Sequence, residues 1–476
     1  MSTAVRSVAV VGNSVAAMFS ALTLGEAGWT VILVTPSPQL GGHFAGLTLA
    51  GHTFDAGMVF LEFTSFNSQP DADISTYDPT RRNDVGRFFP LVERTLGRFG
   101  EWRNVSTPHM RVDGQLLPDL LIANNVNSLA DLAPATRAQM REELEGIMAM
   151  DSDTLHPSRK VTDCVFARHD LETVSLANHG RTFHRMFIEP FCRKLLARPT
   201  ASLLALYHRL AWLPLFYPET LASALANVSP PLPQTVFAFP TSGALAHLVK
   251  EVERQLRSVP SVDIVRGRIT ALTHTAGDGP FALTITSGQT MKVDHVVWAS
   301  DSEQLLALCG ESAQPSLERA SLVVASILAR AGEIETAHST LLVPADERLP
   351  FRITNQSVAS GVSEPMHRLS CEWSAAVLDG SPDSLAERAR DALVEVNVLR
   401  RREGVVEMRV DVFKDALSLP TPANAALAHE RRNKLDELLP TVRRVGPAAP
   451  FGAASLNDQI VQGLKVGREL GEGTWR

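Results

Sequence analysis

The stretch Val8-Ala9-Val10-Val11-Gly12-Asn13-Ser14-Val15-Ala16-Ala17-Met18-Phe19-Ser20-Ala21-Leu22-Thr23-Leu24-Gly25 decides how this chain is read. Val5–Val11 is short, valine-rich and apolar on both faces, the pattern of a strand buried in a parallel sheet. Ser14–Ala27 reads as a helix with small residues (Ala16, Ala17, Ala21) where it lies close on a sheet. Gly28 stops it, and Trp29–Val34 supplies the next strand. This is a βαβ unit, whose crossover is right-handed. The turn Gly12-Asn13-Ser14-Val15-Ala16-Ala17 occupies the place of G-x-G-x-x-G, where free amides at a helix N-terminus meet a phosphate. Gly12 allows the tight turn, Ser14 stands in place of the second glycine, and Ala17 keeps helix and strand close. On its own this segment reads equally well as an ordinary turn of an α/β protein. At the end of the second strand, where a dinucleotide fingerprint expects an acidic residue on the ribose, the chain has Thr35, a weaker partner for a ribose hydroxyl.

Working outward, Gln39-Leu40-Gly41-Gly42 and Phe54-Asp55-Ala56-Gly57 follow. In this order the features resemble the start of the flavin amine oxidase superfamily, which includes monoamine oxidases, phytoene desaturases, protoporphyrinogen oxidases and UDP-galactopyranose mutases. The resemblance implies that the loop with Gly41, Gly42 and Gly57 lies along the diphosphate and ribityl chain of FAD. Phe239–Gly243, the helix after it, Ile269 and Val293–Ser300 resemble the second FAD-contacting stretch, with Ile269 on the adenine side. Phe183–Ala197, with Pro190 and Lys194, resembles a helical segment of the mutase branch. Leu349–Ile353, with Glu372 later, resembles that branch's substrate-domain strands. Val445-Gly446-Pro447 and Gly452–Gly463 resemble the C-terminal flavin motif. There the resemblance implies a helix N-terminus near Leu456, Asn457 and Asp458, whose dipole favours an anionic reduced flavin. Against the family pattern, Pro447 stands where an arginine or aspartate is usual, and Val59 where the mutase branch shows a histidine. Trp212-Leu213-Pro214-Leu215-Phe216 stands where that branch has R-x-P-x-R. Trp and Phe cannot grip a diphosphate as an arginine pair does. Arg352 matches the branch's other arginine.

The expectations follow from these residues. The fold class is α/β, a discontinuous Rossmann-like FAD-binding domain (1–66, 236–310 and 427–476) with an inserted mixed α+β substrate or cap domain (67–235 and 311–426). The function implied is an FAD-dependent oxidoreductase taking a hydride from a small polar substrate. Arg352 would orient that substrate, and Trp212 and Phe216 would form an apolar wall. The cofactor-binding candidates are Gly12, Ser14, Ala17, Thr35, Gly41, Gly42, Gly57, Ile269, Gly446, Leu456, Asn457 and Asp458. Two alternatives stand beside this reading: a mutase-like flavoenzyme acting on a nucleotide sugar without net redox change, and a degenerate flavin fold without catalysis. His43, His52, His179, His184 and His208 are candidate acid–base groups, each weighed against an ordinary hydrogen-bonded core or surface role.

Composition sets the outer bounds. The chain has 476 residues, a formal net charge of −7, 45% hydrophobic and 20% charged residues. This is the profile of a globular protein, with no basic footprint for nucleic acid and none for an anionic membrane. Cys164, Cys192, Cys309 and Cys371 form no C-x-x-C pair, so neither a disulfide framework nor a metal site is suggested, and a cytoplasmic setting is expected. Gly12, Asn13 and Ser14 interrupt the apolar N-terminus, which argues against a signal peptide. Leu203–Pro218 carries His208, Arg209 and Pro214 and is too short to span a bilayer. It reads as core or pocket wall. The expected partners are a small-molecule substrate and a second copy of the chain.

The expected elements are a hairpin over Thr48–Asp55 and an exposed excursion over Ser65–Arg82. Helices are expected over Ser128–Met150, Thr182–Leu196, Gly243–Arg257 and from Leu427. Strands are expected over Val262–Val265, Ile269–Thr275, Phe281–Thr286 and Met291–Ala299, with turns at Thr275–Pro280 and Ser287–Gln289.

Overall fold

The opening strand, Ser7–Val11, is flanked on both sides by parallel neighbours: Ala9 lies opposite Ile32 of Thr30–Thr35 and opposite Val296 of His295–Trp298. A strand covered on both faces and both edges must be apolar throughout, and Val8, Ala9 and Val10 are each 0% exposed. The computed structural model describes residues 6–81, 83–149, 168–228, 235–274, 280–311, 315–336, 338–378 and 382–471. Among these, five strands form the parallel sheet, in the order Val262–Arg266, Thr30–Thr35, Ser7–Val11, His295–Trp298, Arg443–Arg444. Cys164, Met150 and most of the expected turn at Thr275–Pro280 lie outside the described residues.

The helix Val15–Glu26 is buried along nearly its whole length. The helix also packs closely on the last helix, Leu456–Gly471, where a Cβ on Gly463 would lie 2.6 Å from the Phe19 Cβ and 2.9 Å from the Ala16 carbonyl oxygen. Gly463 and Gly467, one turn apart, let the two backbones approach, so the end of the chain locks onto its beginning.

Ile269–His274, Phe281–Ile285 and Thr290–Val293 form an antiparallel sheet. The run Met291–Ala299, expected as one strand, is two. Asp294 turns the chain between them, its carboxylate accepting from the Ser7 amide and hydroxyl, each at 2.8 Å. The hairpin is present as Leu47–Leu49 and His52–Phe54.

A second sheet, of seven strands among the described residues, runs in the order Val405–Ser418, Arg319–Arg330, Met366–Ser374, Arg352–Asn355, Thr340–Leu342, His109–Val112, Gln115–Pro118. One face (Val323, Ala325, Ile327, Ile353, Leu369, Cys371, Trp373) packs on the helix Pro382–Glu395 through Leu385, Ala389 and Leu393. Full burial of the valine, isoleucine and leucine side chains among them contributes about 1.5–3 kcal/mol each. The other face is polar and also buried.

Helices Pro134–Ala149, Leu171–Phe183, Glu189–Leu196 and Pro218–Leu225 pack beside this sheet. The helix expected over Thr182–Leu196 is instead the end of one helix, a π-turn at His184–Ile188 and a third piece beginning at Glu189. Gly180, at φ 79° and ψ 170°, breaks the first piece. The Glu143 carboxylate occupies the space a Cβ would need there, and it accepts from the Thr182 amide (2.8 Å) and hydroxyl (2.7 Å). Pro190, with no N–H, then sits in the first turn of the third piece. Within the expected excursion, residues 65–81 are less exposed than their polar composition suggests. Tyr77 is 2% exposed, packs edge-on against Phe88 and donates to Asp458 at 2.8 Å. No helix among the described residues is long and apolar enough to cross a membrane.

Candidate functional site

The first βα turn gathers residues from four parts of the chain. Gly12 has φ +137°, and a Cβ there would lie 2.4 Å from the Ala299 carbonyl oxygen, so only glycine lets the two strand ends close here. The helix starts at Val15, and the amides of its first turn have no intrahelical acceptor. Gly42 (φ +59°) comes within reach of the turn: a Cβ on it would lie 3.8 Å from the Ser14 Cα. Gly41 (φ +95°) donates its amide to the Asn13 carbonyl at 2.7 Å. Gly446, after the last strand of the sheet, has φ +59°, and a Cβ on it would lie 2.8 Å from the Ser14 Oγ. Gly12, Ser14, Gly41, Gly42 and Gly446 are thus brought together, and Ala17 is fully buried just inside the helix.

Ser14 is where this turn departs from an all-glycine one. Its Oγ accepts from the Ala17 amide at 3.3 Å and donates to the Ala299 carbonyl at 3.4 Å. The side chain caps its own helix, an arrangement that stabilises by about 0.5–2 kcal/mol. Thr35, fully buried, accepts from the Ser37 amide at 3.1 Å. Arg266 ties the same loop down by donating to the Ser37 and Pro38 carbonyls. Ile269 is 3% exposed and shares a core with Ala9, Val11 and Val34.

Leu456, Asn457 and Asp458 form the buried first turn of the last helix. Ser455 and Asp458 cap it reciprocally: the Ser455 amide donates to Asp458 at 3.3 Å, and the Asp458 amide to Ser455 Oγ at 3.1 Å. Asn457 donates to the Glu62 carbonyl at 2.8 Å. Burial raises the Asp458 carboxyl above its ordinary range.

Gly57 and Arg352 meet at a different place, beneath the polar face of the seven-stranded sheet. Arg352 Nε and Nη2 donate to Glu372 at 2.7 and 2.5 Å, and both side chains are 3% exposed or less. Glu372 also accepts from the Met58 amide at 3.0 Å, and a Cβ on Gly57 would lie 2.6 Å from Glu372 Oε2. Trp212, at φ 53°, lays its ring on the Arg352 guanidinium, 4.2 Å from Cζ to ring centroid. The expected apolar wall is therefore partly a cation–π lid. Arg352 Nη1 has no hydrogen-bond partner among the described residues, nor have the hydroxyls of Ser326, Thr354 and Ser370. Cross-strand register sets Ser326 opposite Ser370 and Ser370 opposite Thr354, so the three hydroxyls form one row beside the ion pair. Buried donors left without a protein partner are costly and point to water or ligand.

Sequence reading missed this hydroxyl row and two supporting groups. Asp55, inside the quoted Phe54–Gly57 motif, accepts from the Leu245 and Ala246 amides at 2.8 and 2.9 Å and so caps the helix Leu245–Ser258. Burial pushes its carboxyl up to about 6, against those two amides and the Arg368 charge. Arg368 donates to the Gly243 and Thr53 carbonyls.

His179, His184 and His208 take the ordinary hydrogen-bonded role. The Phe216 amide donates to His179 Nε2 at 2.8 Å, which leaves the proton on Nδ1, facing Ser175 Oγ at 3.0 Å. Ser175 then donates to His184 Nδ1 at 2.9 Å, and His184 Nε2 faces Thr200 at 3.3 Å. Burial pushes His179 down to about 3 and His184 also down, so this chain holds neutral rings that pin Phe216. His208 donates to the Leu213 carbonyl at 2.6 Å, and burial holds His43 down to about 4.

No family model matches the sequence, and no curated protein matches it. Solved structures match the fold over nearly the whole chain. A reduced UDP-galactopyranose mutase aligns with a TM-score of 0.73 at 14% identity, covering 98% of this chain and 94% of that one. An Exiguobacterium protein named provisionally as a protoporphyrinogen oxidase gives 0.68 at 14% identity, covering 98% and 99%. Cyclohexylamine oxidase from Brevibacterium oxydans gives 0.61 at 14% identity, covering 99% and 100%. The chain has the mixed α/β fold of these solved structures, the fold that the resemblance implied.

Proposed function

We propose that the chain is an FAD-dependent oxidoreductase acting on a small polar substrate. The observation that carries this reading is the convergence of Gly12, Gly41, Gly42 and Gly446 on one helix N-terminus, whose Val15 and Ala16 amides have no intrahelical acceptor. That backbone cradle suits a diphosphate. In this reading the segments 1–66, 236–310 and 427–476 form a Rossmann-like FAD-binding domain, and 67–235 with 311–426 form the substrate domain. The two largest sheets support the division, since each draws its strands from one set of segments, and a small sheet of Leu61–Glu62, Phe237–Pro240 and Trp102–Asn104 joins the two sets. Gly12, Ser14, Ala17, Gly41, Gly42 and Gly446 would hold the diphosphate, Thr35 the ribose and Ile269 the adenine side. Gly57, Leu456, Asn457 and Asp458 would line the flavin end.

FAD, when bound, supplies the hydride acceptor. The chain supplies the rest. Ser14, whose Oγ now accepts from the Ala17 amide, would have to turn away for that amide to meet the diphosphate. Glu372 fixes Arg352 so that only Nη1 is presented, and the Ser326–Ser370–Thr354 row offers donors and acceptors beside it. Trp212 and Phe216 exclude water. Because Glu372 neutralises Arg352, the wall suits a polar substrate of little net charge. That also weighs against the mutase-like alternative, since a nucleotide-sugar diphosphate needs uncommitted cations.

One set of observations favours a second reading, a flavin fold kept without its cofactor. Ser14 caps the first helix, and the Ser455–Asp458 pair caps the last, so both N-termini are partly satisfied by the chain itself. Titration of the purified protein with FAD separates the two. Binding with a visible flavin band supports the oxidoreductase; a colourless protein giving no heat supports the second reading. UDP binding together with activity only after dithionite reduction would favour the mutase alternative instead.

A further inference from the structure

The strand Val405–Ser418, 14 residues long, closes one side of the seven-stranded sheet. Among the described residues it pairs only with Arg319–Arg330, so its outer backbone amides and carbonyls have no strand partner. A long unpaired edge is a ready template for another strand, and proteins normally guard one with charges. The register shows how this edge is built. Ser326 lies opposite Arg409 and Val324 opposite Asp411, which puts both charges on the polar face. Ile327 lies opposite Met408, Ala325 opposite Val410 and Val323 opposite Val412, which makes an apolar row on the other face. Val405, Met408 and Val410 pack against the core under the sheet, and Val412 continues the row into solvent at 55% exposure.

We infer that this edge pairs with the same edge of a second copy, antiparallel about a two-fold axis at Val410. In that register Val410 faces Val410 of the second copy and Met408 faces Val412, twice. Arg409 faces Asp411, also twice, so each Asp411 lies between its own chain's Arg409, at 2.7 Å, and that of the second copy. Directly opposed charge pairs and apolar pairs each contribute about 0.2–1 kcal/mol. The neighbouring two-fold register, centred on Arg409, sets Arg409 against itself and Glu407 against Asp411. Like charges then exclude it. The charges on this edge thus favour the Val410-centred self-pairing over the Arg409-centred one, the irregularity at Val405–Glu407 falls inside a pairing centred on Met408, and the two sheets join into a continuous one through an isologous contact.

Sedimentation velocity over a concentration series, with three sets of variants, tests this. The wild type is expected to dimerise. Val410→Cys should form an intermolecular disulfide on mild oxidation that the wild type does not form. Val412→Cys should not, because its two copies stand about 13 Å apart, four residues of strand rise. Arg409→Asp alone and Asp411→Arg alone should each weaken the dimer at least tenfold. The double swap Arg409→Asp/Asp411→Arg should restore it, which a loss of folding could not do. A wild type that stays monomeric overturns the inference. So does a dimer that ignores the single charge reversals and leaves Val410→Cys uncrosslinked, since its contact lies elsewhere.

Discussion

Replacing Glu372 by Gln probes the group on which the substrate wall depends. Glu372 accepts three hydrogen bonds, from Arg352 Nε and Nη2 and from the Met58 amide, at 2.7, 2.5 and 3.0 Å. Both members of the ion pair are essentially removed from water. A glutamine keeps the shape and one acceptor, but it sets an NH2 against the guanidinium and leaves that cation buried without a counter-charge. Breaking a buried pair by removing one partner costs about 3–5 kcal/mol. The Trp212 ring on the guanidinium offsets little, since a cation–π contact is worth about 0.5–2 kcal/mol and exists before and after. Replacing both residues with apolar ones, Arg352→Met with Glu372→Leu, should cost much less than the sum of the two single changes, because no charge is left stranded. Urea unfolding followed by circular dichroism and by tryptophan fluorescence gives the comparison, provided the two probes share one transition. An E372Q protein within about 1 kcal/mol of wild type would refute the reasoning. So would a double variant whose loss equals the sum of the singles.

Three further outcomes follow from the structure. Ser14→Gly removes the side chain competing for the Ala17 amide, and glycine caps a helix almost as well; FAD affinity measured by calorimetry should rise about fivefold, for about 1 kcal/mol of competition relieved, with little change in stability. Gly463→Leu drives a side chain into Phe19 and the Ala16 carbonyl, and the overpacking should cost at least about 1–3 kcal/mol, read from the unfolding midpoint. The Asp55 carboxyl titrates higher in the fold, near 6, than in the unfolded chain, so the folded state holds the proton more tightly. Its contribution is therefore fully present below the unfolded carboxylate range and is lost as pH rises towards 6; the stability difference between wild type and Asp55→Asn should shrink over that window and then level off.

Much of the fold was legible because its carriers are local. Val8–Val11, Gly12 and the run to Gly28 specify strand, turn and helix from neighbouring residues alone, and Leu245, Leu248, Val249, Val252 and Leu256 mark one helix face at the right spacing. The polar face of the second sheet was not legible. Arg368, Ser370, Glu372 and Ser374 alternate with Leu369, Cys371 and Trp373, which in sequence reads as a half-exposed strand. The chain between Phe54 and Met58, Trp212 and Gly243, all brought over it from far away, make that face an interior. The break at Gly180 likewise depends on Glu143, 37 positions earlier, occupying the space beside it. Ser14 looked like a weakened phosphate contact; what sequence could not reveal is that its hydroxyl finds a partner in the very amide left free.

The central claim is that this turn accepts a diphosphate once Ser14 moves aside. Calorimetric titration of the purified chain with FAD, read together with the visible spectrum of the mixture, addresses it most directly. The account predicts saturable one-to-one binding that becomes tighter in Ser14→Gly. Absence of heat and of colour in both the wild type and Ser14→Gly would contradict it.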